Sequence, residues 1–138
     1  EAIRRGVETL RPDNQYIEWA RTIQSYTEEE CGFHMVRGLG GHGIGRALHG
    51  PPFIANIVPD SPFEWPDAAI FPAPGTLIAV EPMIAIGTGA TRAVRGQWPI
   101  HTADGSMAVH YEHDILITEN GPRTLTEGLE SLPDVISH

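Results

Sequence analysis

The chain has 138 residues, 9 Lys plus Arg against 18 Asp plus Glu, a formal net charge of -9 and 41% apolar residues. That length suits one domain with a real core and is short for two ordinary ones. The acidic balance would repel a phosphate backbone, which argues against a nucleic-acid ligand, and no apolar run is long enough to cross a bilayer.

In chain order, Glu1 to Leu10 carries good helix formers and stops at Arg11-Pro12, because proline disfavours helix in the residue before it. The chain opens without an initiator methionine, which suggests processing, truncation or a piece of something longer. Asp13 or Asn14 is placed to cap a second helix running to about Cys31. Ile17, Ala20 and Ile23 fall at helical spacing, and Thr27 and Cys31 continue the face. Cys31 is the single cysteine, so no internal disulfide forms; with no N-terminal export segment, a cytoplasmic setting is expected. Gly32 is a natural helix stop, and Phe33 to Val36 is a short strand candidate.

Next comes Gly40-Gly41-His42-Gly43-Ile44-Gly45-Arg46. Four glycines in seven positions predict a loop whose backbone takes positive φ and approaches a bound group closely, around an unencumbered imidazole. Taken alone, a mobile loop with an incidental histidine is the plainer reading. From Gly50 to Pro74 seven prolines predict a surface connection with one short strand near Phe53 to Val58. Gly75 opens a strand over Thr76 to Ile86, another runs from about Gln97 to Thr102, and Asp104-Gly105 makes a tight turn. Met107 to Thr118 alternates, with Met107, Val109, Tyr111, His113, Ile115 and Ile117 on one face. Asn120-Gly121 is a hairpin signal with Arg123 to Leu125 returning, and Leu129 to His138 is a peripheral tail. Helices first and an antiparallel or mixed sheet after them predict an α+β fold.

Glu81 lies within Leu77-Ile78-Ala79-Val80-Glu81-Pro82-Met83-Ile84, whose neighbours imply burial. An unpaired buried carboxylate is very costly, so Glu81 requires a cation, a metal or several donors, with Arg46 and Arg95 as ordinary salt-bridge candidates. Glu112 stands on the polar face of its strand beside His110 and Asp114, where plain solvent exposure is an equal alternative. His42, Glu81 and Glu112 together are N and O ligands that suit Zn²⁺, Mn²⁺, Fe²⁺ or Co²⁺ in a hydrolytic site. His34, His101, His110, His113 and His138 have no comparable context and are read as structural or surface residues.

The motifs Gly41-His42-Gly43-Ile44-Gly45-Arg46 with His49 and Pro52, Val80-Glu81-Pro82-Met83, Trp98, Asp104-Gly105-Ser106, Tyr111-Glu112-His113 and Thr118-Glu119-Asn120-Gly121 with Leu125-Thr126 resemble type I methionine aminopeptidases. Their order is the same, and the resemblance runs from about Glu1 to Thr126. It implies the pita-bread metallopeptidase fold, two related halves enclosing a dinuclear metal site. Residues 1–128 would be the C-terminal half, with helices packed on a curved, mainly antiparallel sheet, and 129–138 a tail.

Residue by residue, the resemblance implies His42, Glu81 and Glu112 as metal ligands, with Glu112 bridging two metals. It also implies Glu81 as the carboxylate that exchanges a proton with the attacking water, and His49 as the group that contacts the scissile peptide and stabilises developing charge. Leu48 and Trp98 fall where the family lines its methionine pocket, although an aromatic residue is commoner at the former. The reaction so implied is metal-assisted removal of the N-terminal methionine from peptides and nascent proteins, with Co, Mn, Fe or Zn as the divalent metal.

The family's two aspartate ligands and a further histidine precede the glycine motif, yet the only aspartate before His42 here is Asp13. Gly50 and Asp114 also depart from the family's usual glutamate and threonine. Two expectations follow. One is an aminopeptidase half whose activity needs an N-terminal half bearing the aspartates. The other is a non-catalytic module that keeps the fold for binding or assembly, as a homodimer whose second copy covers the exposed interface. A mononuclear site of His42, Glu81 and Glu112 is chemically allowed as a third, because three protein ligands plus water make a catalytic site.

Overall fold

Helix α1, Ala2–Val7, turns its Ala2 and Gly6 inward. A Cβ at Gly6 would meet Ile23 at 2.5 Å and the Trp19 ring at 2.6 Å, so glycine sets how closely α1 approaches its neighbour. That neighbour is α2, Ile17–Gln24, with Trp19, Ala20 and Ile23 buried. Asp13 and Asn14 do not cap it. Tyr16 is the N-cap without a side-chain bond; the Asn14 amide instead donates to the Thr9 carbonyl at 3.1 Å, and Asp13 pairs with Arg11 at 3.3 Å. Beyond α2 a wider π-helical stretch, Ser25–Glu30, keeps Thr27 buried. The added width rotates Cys31 off the buried face and leaves it exposed. Gly32, at φ 70°, ends the segment as expected.

The structure is a computed structural model that describes residues 1–128 and Ser131; the rest of the expected tail, from Leu129, lies outside the described residues. The strands are β1 His34–Met35, β2 Gly40–Gly43, β3 Gly50–Ala55, β4 Leu77–Val80, β5 Met83–Ala85, β6 Thr91–Ala93, β7 Ile100–Thr102, β8 Ala108–His110, β9 His113–Thr118 and β10 Gly121–Thr124. They form a five-stranded sheet in the order β10-β9-β4-β2-β3, a three-stranded sheet β1-β5-β8 and the pair β6-β7. Every pairing is antiparallel, so the α+β class expected from the sequence holds. Leu10, Tyr16, Trp19 and Ile23 from the helical layer pack with Ile54, Ile78, Val80, Ile115 and Ile117 of the large sheet. This burial is the dominant favourable contribution to folding. Trp65 and Ala68 from the proline-rich connection join the same core, and the Trp65 indole donates to the Phe53 carbonyl at 2.8 Å. Among the described residues no helix is long and apolar enough to cross a membrane.

Two long predicted strands are each broken. The run Thr76 to Ile86 stops at Glu81-Pro82, and the run Met107 to Thr118 stops at Tyr111-Glu112. Val80 pairs with His113 in the large sheet, while Met83 pairs with His110 in the small one. Both chains therefore change sheets at the same level. Pro82 has no N–H for the ladder, which is a local reason for the break, and its carbonyl accepts from Tyr111 at 3.4 Å. The alternating face is accordingly split: His113, Ile115 and Ile117 are buried, whereas Met107 and Val109 are exposed. Asp104-Gly105 does turn, with Gly105 at φ 77°, but it joins strands of different sheets. Asn120-Gly121 forms the expected hairpin, pairing Gly121 with Thr118.

Candidate metal centre

The glycine run is not a loop over Gly40 to Gly43. It is strand β2, lying between β3 and β4, with His42 opposite Phe53 on one side and Ala79 on the other. None of Gly40, Gly41, Gly43 or Gly45 has positive φ. The glycines serve close approach instead: a Cβ at Gly41 would collide with the Ala79 carbonyl oxygen, and one at Gly43 with that of Pro51. The strand can thus lie tightly against both neighbours while His42 projects from it.

Glu81 sits where β4 ends, and its side chain is 13% exposed. Its backbone is held by Asn56, buried and on the segment after β3, which donates to the Glu81 carbonyl at 2.7 Å. Oε1 of Glu81 lies 3.1 Å from Nε2 of His42, and Oε2 lies 3.2 Å from Nε2 of His110. The polar neighbours of Glu81 are histidines. Arg46 and Arg95, the ordinary salt-bridge candidates, are both exposed. Nδ1 of His42 lies 3.1 Å from the Gly43 carbonyl oxygen, which can only accept, so this contact puts a proton on Nδ1. In the neutral ring that leaves the Nε2 lone pair aimed at the carboxylate, the tautomer a metal-binding histidine uses.

Glu112 stands at the second sheet break, and one ligand atom from each of Glu81, His110 and Glu112 lies within 4.8 Å of the others. The structure therefore brings His42 and Glu81 into contact and places Glu112 at the exposed rim. His110, by its sequence context a structural or surface residue, has its Nε2 3.2 Å from Glu81. It belongs to the cluster, and its one signal in the sequence was its place two residues before Glu112 on the same strand face. Asn56 carried no sequence signal, since its role depends on a strand break distant in the chain.

The other expected site residues divide. His49 stacks edge-on against His42 with ring centroids 4.4 Å apart. Leu48 and Trp98 are 67% and 96% exposed, so neither is packed into a pocket wall within this chain. His113 is buried and bonded through Nδ1 to the Thr126 hydroxyl at 2.7 Å, a structural role. The mostly buried Glu81, with the imidazoles of His42 and His110 and the Glu112 carboxylate near it, offers N and O donors that suit a divalent transition metal.

The chain is 38% identical over 133 residues to methionine aminopeptidase 1 of Mycobacterium tuberculosis, covering 93% of this chain and 48% of that protein. It is 38% identical over 127 residues to the methionine aminopeptidase of Aquifex aeolicus, covering 92% and 47%. Among solved structures, the methionine aminopeptidase from Rickettsia prowazekii superposes with a TM-score of 0.80 at 32% identity, over 91% of this chain and 48% of that one. The chain spans about half the length of the curated relatives it matches. The profile of metallopeptidase family M24 matches residues 1–119, which include every member of the Glu81 cluster. With the profile match covering most of its length and the pita-bread framework shared, the chain belongs to metallopeptidase family M24.

Proposed function

We propose that this chain is the C-terminal half of a methionine aminopeptidase, residues 1–128 forming half of the catalytic domain and 129–138 a tail. The reading is carried by Glu81, whose two carboxylate oxygens each face an imidazole nitrogen at a point where two strands change sheets. His42, Glu81 and Glu112 hold the divalent metal, Co, Mn, Fe or Zn, in a site that becomes dinuclear when two aspartates are supplied by an N-terminal half. A bound cation supplies Lewis-acid activation of the peptide carbonyl and of water.

The chain's own groups do the rest. Glu81 takes a proton from the attacking water and returns it to the leaving amine. His49, stacked on His42, donates to the carbonyl oxygen of the first peptide bond as charge develops there. Leu48 and Trp98 form one wall of the methionine pocket, closed by the partner half. The substrates are the N-termini of peptides and nascent proteins in the cytoplasm.

The test is reconstitution. Mixed with a matching N-terminal half and Mn²⁺ or Co²⁺, the chain should release methionine from a short peptide, and His42→Ala should abolish the release. A folded, stably associated pair without activity would overturn the reading.

A second reading rests on a separate observation. Ile100 of β7, Val109 of β8 and Met107 just before β8 are 51%, 59% and 74% exposed, apolar surface of the kind that another protein covers. A second copy could cover it, giving a non-catalytic homodimer. Sedimentation decides: a clean monomer removes the homodimer.

A further inference from the structure

We infer that His110 is an additional metal ligand, so that this chain alone holds one divalent transition-metal ion on His42, His110, Glu81 and Glu112. The inference rests on the metallopeptidase reading of His42, Glu81 and Glu112, and adds to it a residue and a capacity.

Three features carry it. First, the two histidine nitrogens approach different oxygens of one carboxylate at nearly equal distances, 3.1 and 3.2 Å. Donors at about 2.1 Å from a tetrahedral cation lie roughly 3.4 Å from each other, so the spacing is already that of neighbouring ligands. Second, Nδ1 of His42 lies 3.1 Å from the Gly43 carbonyl oxygen, so in the neutral ring Nε2 presents a lone pair toward Glu81. Two acceptors facing each other are satisfied by a shared cation. Third, His110 ends β8 where the chain leaves the small sheet, opposite Met83, and its ring and the Glu112 carboxylate each bring a ligand atom within 4.8 Å of Glu81. At 49% side-chain exposure, the His110 ring is not required to fill the core.

Glu81, His110 and Glu112 each bring a ligand atom within 4.8 Å of the others, and His42 joins them through Glu81 at 3.1 Å, N and O donors of the kind that hold Zn²⁺ or Co²⁺. No aspartate from another half is needed to complete the site. The site would be mononuclear, and the aspartates of an added N-terminal half would bring in the second ion.

The experiment uses the whole chain, its His110→Gln variant and its Glu81→Gln variant. Zn²⁺ affinity is measured by calorimetry, the Co²⁺ complex by visible absorption, and histidine ring nitrogens by ¹⁵N NMR. Circular dichroism checks that each variant is folded. The expected result is one ion per chain, a His110 ring nitrogen that shifts on Zn²⁺ addition, and binding at least tenfold weaker in His110→Gln. Binding unchanged in His110→Gln, with no shift at His110, would overturn the inference while leaving His42, Glu81 and Glu112 as ligands. A wild-type chain that binds no metal would also overturn it. The parent reading would then be judged separately, by whether Glu81→Gln abolishes metal uptake in the pair of reconstituted halves.

Discussion

Glu81 Oε1 lies 3.1 Å from Nε2 of His42, and the ring's other nitrogen lies 3.1 Å from the Gly43 carbonyl oxygen. Without a cation, a neutral ring leaves both groups short of a hydrogen bond inside a mostly buried site, which costs stability. A carboxamide at position 81 can donate to Nε2 where the carboxylate cannot. Glu81→Gln should therefore raise the stability of the metal-free chain at pH 8 by about 1 kcal/mol. It should at the same time remove the stabilisation that Zn²⁺ gives the wild type by binding only the folded state. Thermal unfolding with EDTA and with Zn²⁺ checks both halves of this reversal.

Gly41 has no room for a side chain, because a Cβ would strike the Ala79 carbonyl across the β2–β4 pair. Gly41→Ala must push these strands apart, and overpacking of this kind costs about 1–3 kcal/mol. The same movement displaces His42 from Glu81. Urea unfolding should show the lost stability, and Zn²⁺ titration a weaker site. Native stability in Gly41→Ala would contradict the close approach seen between β2 and β4.

Asn56→Ala should cost about 1–2 kcal/mol, because it leaves the Glu81 carbonyl without its donor at a buried position. The cost is kept down by the second amide atom: Oδ1 of Asn56 is itself buried without a hydrogen-bond partner among the described residues. A fall in metal affinity larger than the fall in stability would mark Asn56 as positioning Glu81. Parallel losses would mark it as purely structural.

Tyr16 contributes to the loss of stability at alkaline pH. Burial, with the nearby charge of Asp67 adding to it, pushes its hydroxyl from 10.0 up to about 12. In the unfolded chain the group ionises near 10, so its contribution is complete below that pH and is lost as the pH rises toward 12. Two pH units correspond to on the order of 2–3 kcal/mol. Tyr16→Phe should flatten the decline in stability between pH 10 and 12, measured as urea midpoints across that range.

Much of the framework could be read from local pattern. Ile17, Ala20 and Ile23 follow a helical period, Gly32 stops the segment at positive φ, and Asn120-Gly121 turns a hairpin, because each depends on residues close in the chain. What stayed hidden depends on distant partners. The apolar pattern runs straight through Glu81 and Glu112, so nothing local shows that both strands change sheets there, bringing His110 onto Glu81. The glycines around His42 read as a loop at positive φ that approaches a bound group, whereas Gly40 to Gly43 is a strand with no positive φ and the close approach is to neighbouring backbone. That this backbone is the carbonyls of Ala79 and Pro51 is visible only once β2 lies between its neighbours. The cap expected from Asp13 or Asn14 failed for a similar reason, since Asn14 finds the Thr9 carbonyl instead.

Metal binding at Glu81 is tested most directly by the crystal structure of the whole chain grown with Zn²⁺ and by its anomalous difference map. One strong peak is expected, bounded by Glu81, His42, His110 and Glu112. A peak elsewhere, or none while Glu81 still faces His42 and His110 undisturbed, would contradict it.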